Sequence, residues 1–343
     1  MMQLKYKLTK PCLDNAEVEA VHKVFESGWL AEGEVTEAFE RKVANYIGAK
    51  YAIAVSNCTI ALELCLKAQE KRSQIAIPDF THPATIRAVL NTSSDPVLFD
   101  VGLGTYNAGV ETYPLETIAT IPVSLFGLDV LPFYYPIVED AACSFGAGEG
   151  SYKVGNNWTH PVCFSFHPRK LITTGEGGMI TTNDEELAQR LRRMKNFGVG
   201  GGNYKFDDVR ASIGLAQMDK LEGIIELRIR MAKVYDDLLS TSQDIIPPQK
   251  MDGVRHTYQT YAVYLKKGNR NEVINKLAEQ GIESQRGAYA LHLLPEYEQC
   301  KKIGDLHNSE LLHHNLLALP MAYDITEEEQ KFVIERLTEA CNH

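Results

Sequence analysis

The hydrophobic positions change period along the chain, and those changes mark out its elements. Over residues 14–27, Val18, Val21 and Phe25 recur at helical spacing, with Asp14 or Asn15 placed to cap the start and Gly28 to stop it. A second helix is predicted over residues 34–47, where Val35, Phe39, Val43 and Tyr46 share one face and Gly48 follows. Short continuous apolar runs then take over, at 51–55, 74–78, 96–100, 118–124, 136–139 and 162–166. Runs of that length without polar alternation suit strands covered on both faces, as in a parallel sheet. Helical stretches at 59–68 and 81–90 follow two of them. The expected fold class is therefore α/β, a mainly parallel central sheet flanked by helices.

Beyond Phe206 the period becomes helical again over residues 207–240, with Val209, Ile213, Ala216, Leu221, Ile224 and Leu227 along it, and this long helix reads as a connector. A strand at 257–265, a helix at 269–280 and a terminal helix from Thr326 make a smaller α+β unit. A chain of 343 residues exceeds the size at which one core keeps growing. The expected division is a large domain over 1–230 and a small C-terminal domain over 231–343. One connection is odd. Only eleven residues separate the runs ending at Ser124 and starting at Pro136, whereas a parallel crossover needs about a dozen or more and usually a helix. Either the segment around 128–135 is an extended loop or one of the two strands is wrongly placed.

Composition changes this picture little. Apolar residues at 44% and charged residues at 23% are ordinary for a folded globular chain. A net charge of -10 with no Lys/Arg run gives no footprint for nucleic acid. The apolar runs are strand-sized and the first ten residues lack an apolar signal core, so neither a membrane nor export is expected. Seven scattered cysteines with no CxxC pair suggest no metal site and fit a reducing cytoplasm.

Three segments carry candidate chemistry. Residues 164–180 read as a strand that ends in a lone lysine, Lys170, then a turn rich in Gly175, Gly177 and Gly178, then another strand. A lysine on a rigid element end, partly desolvated, can attack an aldehyde; beside glycines it can equally be a solvated loop residue. Glu139-Asp140 closes an apolar strand, at the edge where open α/β sheets bind ligands. Asp140 suits pairing with a protonated pyridine nitrogen, or a plain helix cap. Finally, Asn57-Cys58-Thr59 forms a polar turn between a strand and a helix, a phosphate-binding arrangement that needs no basic residue, and also an ordinary cap. Their co-occurrence in one α/β lobe favours the chemical reading of all three.

With these motifs in hand, the chain resembles the DegT/DnrJ/StrS sugar aminotransferases, which are fold type I enzymes dependent on pyridoxal phosphate (PLP). The residues that carry the resemblance are Gly28-Trp29-Leu30 with Gly33, Phe39-Glu40, Ser56 to Thr59, Thr81 to Thr85, Glu139 to Ala142, Phe164 to Lys170, Thr174 to Gly178, and Gly202 to Lys205. It implies that Lys170 carries PLP as a Schiff base, that Asp140 pairs with the ring nitrogen, and that Ser165 with Cys58 and Thr59 holds the phosphate. Asn203 would reach the phosphate in a neighbouring subunit of a homodimer with shared active sites. His82 stands where the family often stacks an aromatic ring on the cofactor, and Cys143 where a glutamine commonly meets the cofactor hydroxyl. Trp29, His167 and Tyr289 are candidates for substrate contact, and Arg169, Lys205 and Arg286 for an anionic group of the substrates.

The implied reaction is ping-pong transfer of an amino group from L-glutamate to a nucleotide-linked keto deoxysugar. A sugar dehydratase of the same family is the alternative, but those relatives have histidine in place of the lysine. An idle family member would be expected to lack Lys170 or Asp140, and both are present.

Overall fold

The computed structural model describes residues 4–69, 72–109, 118–129 and 136–342. Strands β1 (Tyr51–Val55), β2 (Gln74–Pro78), β3 (Phe80–Thr81), β4 (Asp95–Phe99), β5 (Ala119–Thr120) and β6 (Glu139–Asp140) grow from the apolar runs. A small hairpin, β7 (Gly148–Glu149) and β8 (Tyr152–Lys153), precedes β9 (Val162–Ser165) and β10 (Gly178–Thr182). Between them lie α1 (Asn15–Ser27), α2 (Glu34–Ile47), α3 (Cys58–Lys67), α4 (Pro83–Leu90) and α5 (Glu185–Lys195), and α6 (Asp208–Leu239) follows.

The C-terminal part contributes β11 (Ile245–Ile246), β12 (Val254–Arg255), β13 (Tyr261–Leu265), α7 (Arg270–Glu279), β14 (Gln285–Arg286), β15 (Tyr289–Ala290), β16 (Lys301–Ile303), α8 (His307–Asn315), β17 (Leu316–Leu319) and α9 (Glu327–Asn342).

Two four-stranded groups, β16-β4-β2-β5 and β6-β9-β10-β1, join into one sheet. The join is backbone pairing: Ile137 N–H donates to the Thr120 carbonyl, Asp140 N–H to Pro122, and Ser124 N–H to Asp140. Every pairing is parallel except at β10, which is antiparallel to both its neighbours. The strands on either side of the odd connection are thus both present, side by side and parallel; residues 130–135 of the connection itself lie outside the described residues. Because α3, α4 and α5 cover one face and α2 and α6 the other, both faces of each strand are apolar, which is why the runs show no alternation. Phe39 and Phe164 are fully buried there, each side chain stabilising the fold by about 1.5–3 kcal/mol.

A second, antiparallel sheet, β11-β13-β17-β14, packs against the end of α6, α7 and α9 around its own cluster that includes Tyr235, Tyr261 and Leu337. Helix α6 runs unbroken through residue 230. After β14 the chain returns to the large domain: β15 pairs with β3 in a two-stranded ribbon, and β16 adds a parallel edge strand to the large sheet beside β4.

Helix α1 departs from the expected apolar face. Val18 is 67% and Phe25 59% exposed, whereas Glu17 and Val24 are buried. The carboxylate of Glu17 explains the inversion, since it completes the capping box with Asp14, pairs with Lys220 at 2.5 Å and accepts from Gln217 at 2.7 Å. A paired, hydrogen-bonded carboxylate tolerates burial, and the apolar side chains are left outward.

Candidate active site

Strands β1, β6 and β9 are mutually parallel, and their carboxyl ends open into a cavity of about 600 Å3, the position at which open α/β sheets bind ligands. At the end of β1, Asn57 caps α3 by accepting from Ile60 N–H at 2.9 Å. The first amides of a helix have no intrahelical acceptor, and Cys58 and Thr59, both lining the cavity, supply them here. The turn seats directly on the first residue of β10. A Cβ at Gly178 would meet the Asn57 carbonyl carbon at 2.4 Å and the Cys58 nitrogen at 2.7 Å, so only glycine permits this approach. Ser165, at the end of β9, also lines the cavity.

Asp140 is buried and meets the cap role considered for it. One oxygen accepts from Ala142 N–H at 3.1 Å as a turn cap; the other accepts from the Thr85 hydroxyl at 2.7 Å. Lys170 reaches the same space, its amine donating to the Cys143 sulfur at 3.1 Å. Burial alone would lower the lysine pKa, but the Cys143 sulfur and the Asp140 carboxylate outweigh it and raise the pKa above its ordinary value. The amine therefore keeps its proton more readily than a free lysine. The Cys58 thiol is pushed well up, chiefly by burial, and stays protonated.

His82 lines the cavity and caps α4 by accepting from Ala84 N–H at 3.1 Å. Burial first, and then the charge of Lys170, lower its pKa, so its ring is neutral. Tyr289 stands edge-on to His82 with ring centres 6.4 Å apart. His167 lines the cavity and lies 3.9 Å from the Glu176 carboxylate.

Four expected residues, Trp29, Asn203, Lys205 and Tyr289, stand outside the cavity lining in this chain. Trp29 is 61% exposed, and Asn203 is exposed on a loop held by its bridge to Asn196; neither lines the cavity. Lys205 lies over the Phe197 ring instead. The sequence reading overlooked Thr85 as a partner of Asp140, although it sits in the first turn of a predicted helix. It also overlooked Thr9, Gln259 and Gln285, which line the cavity from distant segments and carry no local signal.

The chain matches the model of the DegT/DnrJ/EryC1/StrS aminotransferase family over residues 11–130 and 133–338. It is 31% identical to the GDP-perosamine synthase of Caulobacter vibrioides, over 97% of each chain. Among solved structures, a DegT/DnrJ/EryC1/StrS aminotransferase from Brucella abortus superposes with a TM-score of 0.84 at 28% identity, covering 96% of each chain. The Escherichia coli GDP-4-keto-6-deoxy-D-mannose-3-dehydratase with bound hydrated PLP shares the fold at a TM-score of 0.88 and 21% identity, over 98% of this chain and 100% of that one. Among the described residues no helix is long and apolar enough to cross a membrane. With fold, motifs and full-length match in agreement, the chain belongs to the DegT/DnrJ/EryC1/StrS aminotransferase family.

Proposed function

We propose that the protein is a PLP-dependent aminotransferase that moves an amino group from L-glutamate to a nucleotide-linked keto deoxysugar by a ping-pong mechanism. The observation that carries this reading is the convergence of Lys170, Asp140 and the α3 amides of Cys58 and Thr59 on one cavity. These residues fit PLP group by group: helix amides and hydroxyls for a phosphate, a buried carboxylate for a pyridinium, an amine for an aldehyde. An orphaned hydroxyl supports an oxygen-rich occupant, since Thr81 Oγ1 is buried in the cavity wall without a partner. When bound, PLP supplies an aldehyde for covalent capture and an electron-poor ring beside the reacting carbon.

The chain's own groups then divide the work. The amides at Cys58 and Thr59, with the Thr59 and Ser165 hydroxyls, bind the phosphate. Asp140, aimed by Thr85, would hold a proton on the ring nitrogen, and the neutral His82 ring would help to orient the cofactor. Lys170 Nζ would anchor the cofactor, and its amine, once free, would take a proton from the donor's α-carbon in the first half-reaction and deliver one to the acceptor carbon in the second. The similarity to a GDP-perosamine synthase supports a nucleotide-linked sugar as acceptor.

The proposal includes a homodimer. Its support is apolar surface on α1, where Val18 and Phe25 are exposed, with exposed Trp29 just beyond its end, together with Phe197 and Val199 on the loop that carries Asn203. In such an assembly Asn203 would serve the partner's phosphate site.

To test the function, the yellow protein is reduced with borohydride and mapped, and a second sample is incubated with L-glutamate and a panel of nucleotide keto sugars. The expected results are a cofactor label on Lys170, colour loss with glutamate, and a sugar product of amino-sugar mass. A label on another lysine, or a dehydrated product, would overturn it.

A further inference from the structure

The geometry points to Arg286 as the receptor for a carboxylate of the amino donor, an inference that rests on the aminotransferase reading above. Arg286 lies in β14, half-buried in the cavity wall, with its guanidinium 5.2 Å from the centre of the Tyr289 ring. Among the described residues the one polar group its side chain meets is His313 Nε2, at 3.5 Å. That contact is no hydrogen bond. His313 Nδ1 accepts from Ala290 N–H at 3.1 Å, and a neutral imidazole has a single acceptor nitrogen, so Nε2 carries the hydrogen and faces the arginine as a second donor. Burial, with Arg286, His314 and Arg270 nearby, lowers the His313 pKa to about 4, which keeps the ring neutral. Among the described residues Arg286 therefore has neither a carboxylate partner nor a hydrogen-bond acceptor.

The surroundings sharpen the deficit. Arg270, the next cation, is buried and already bonded to the His313 carbonyl and to Asn271. Arg169 also lines the cavity, but it is exposed and tied to Gln285 at 2.9 Å. Two further cavity atoms, Thr9 Oγ1 and Thr81 Oγ1, are buried without partners among the described residues, and Thr81 pairs in register with Tyr289, the residue under the guanidinium. A guanidinium without an acceptor beside orphaned hydroxyls calls for an oxygen-bearing anion, and a carboxylate can take the arginine in bidentate fashion. Size decides between the two anionic substrates. A cavity of about 600 Å3 must hold the cofactor and the reacting part of each substrate; a small dicarboxylate fits beside the cofactor, whereas a nucleoside diphosphate extends outward past the exposed Arg169.

Holoenzyme and its Arg286→Gln and Arg286→Lys variants are titrated with L-glutamate, following loss of the yellow colour. Binding of glutarate, and of GDP and UDP, is measured by calorimetry. In Arg286→Gln the half-saturating glutamate concentration should rise roughly 10- to 100-fold, glutarate affinity should fall in parallel, and GDP and UDP should bind as before. Arg286→Lys, which keeps the charge without the fork, should fall between. Unchanged glutarate affinity, or weakened nucleotide binding instead, overturns the proposal. A wild-type protein that binds glutarate through Arg286 yet keeps its colour with glutamate would sink the aminotransferase reading and leave the carboxylate site standing.

Discussion

Lys170 Nζ lies 3.1 Å from Cys143 Sγ, with the Asp140 carboxylate near enough to act on the same amine. The contact couples the residue expected to bind the cofactor to a sulfur in the same cavity wall. A thiol is a weak hydrogen-bond partner, so its influence here is largely on the proton of the lysine.

Removal of that sulfur should therefore be visible in the pH dependence of cofactor capture. Burial lowers the Lys170 pKa, and Cys143 and Asp140 raise it above the usual lysine value. In Cys143→Ala one raising influence is gone, so the amine should lose its proton at lower pH. The rate at which apoprotein turns yellow with added PLP, plotted against pH, should shift its midpoint downward relative to wild type. A midpoint that stays put or moves up would show that the sulfur does not govern the amine.

The Thr85 hydroxyl aims Asp140 Oδ2 at 2.7 Å in a buried setting. Thr85→Val keeps the shape and removes a bond to a charged group, which should cost about 1.5–3 kcal/mol in urea unfolding. Asp140→Asn should keep the fold while losing most turnover, because a neutral side chain cannot hold the ring proton. Near-normal activity of a well-folded Asp140→Asn protein would mean that another group serves the nitrogen.

If α1 lies in a subunit interface, Phe25→Glu should release monomers detectable by light scattering, because an exposed apolar surface would acquire a buried charge on association. The monomer should also hold PLP more weakly, having lost the partner's Asn203. An unchanged mass would argue that α1 faces solvent, as it does in the single chain.

Acid stability offers a separate check through His313, whose folded-state pKa of about 4 lies below the ordinary value near 6.5. The unfolded chain binds the proton more readily between these values, so the stabilisation is complete above pH about 6.5 and is lost progressively as pH falls towards 4. His313→Gln should flatten the urea-midpoint profile across that window. A variant whose midpoint falls as steeply as wild type would place the titration elsewhere.

Much of the molecule was legible in the order of residues. Continuous apolar runs announced strands covered on both faces, and β1, β2, β4 and β9 lie where those runs lie because burial on both sides leaves no polar alternation. Asp140 and the Asn57-Cys58-Thr59 turn were legible for a related reason: each stands at a strand end or helix start, where local chain geometry alone fixes what the backbone and side chain can offer. Lys170 was expected to end its strand, but β9 stops at Ser165 and the lysine follows in a turn closed by its own N–H donating to the His167 carbonyl.

Tertiary structure decided what depends on which distant surfaces meet. The sequence spacing of α1 pointed Val18 and Phe25 inward, but Glu17 found Lys220 and Gln217 on α6, and a carboxylate with those partners buries more readily than the apolar face. The raised pKa of Lys170 followed from a thiol 27 residues away in the chain that packing brought to 3.1 Å. In the sequence Arg286 stands level with Arg169 and Lys205 as a candidate for an anionic group, with nothing to single it out. Its lack of an acceptor emerges only when β14 closes the cavity and Ala290 occupies the one accepting nitrogen of His313, because hydrogen-bond supply and demand is settled by three-dimensional neighbours and not by neighbours along the chain.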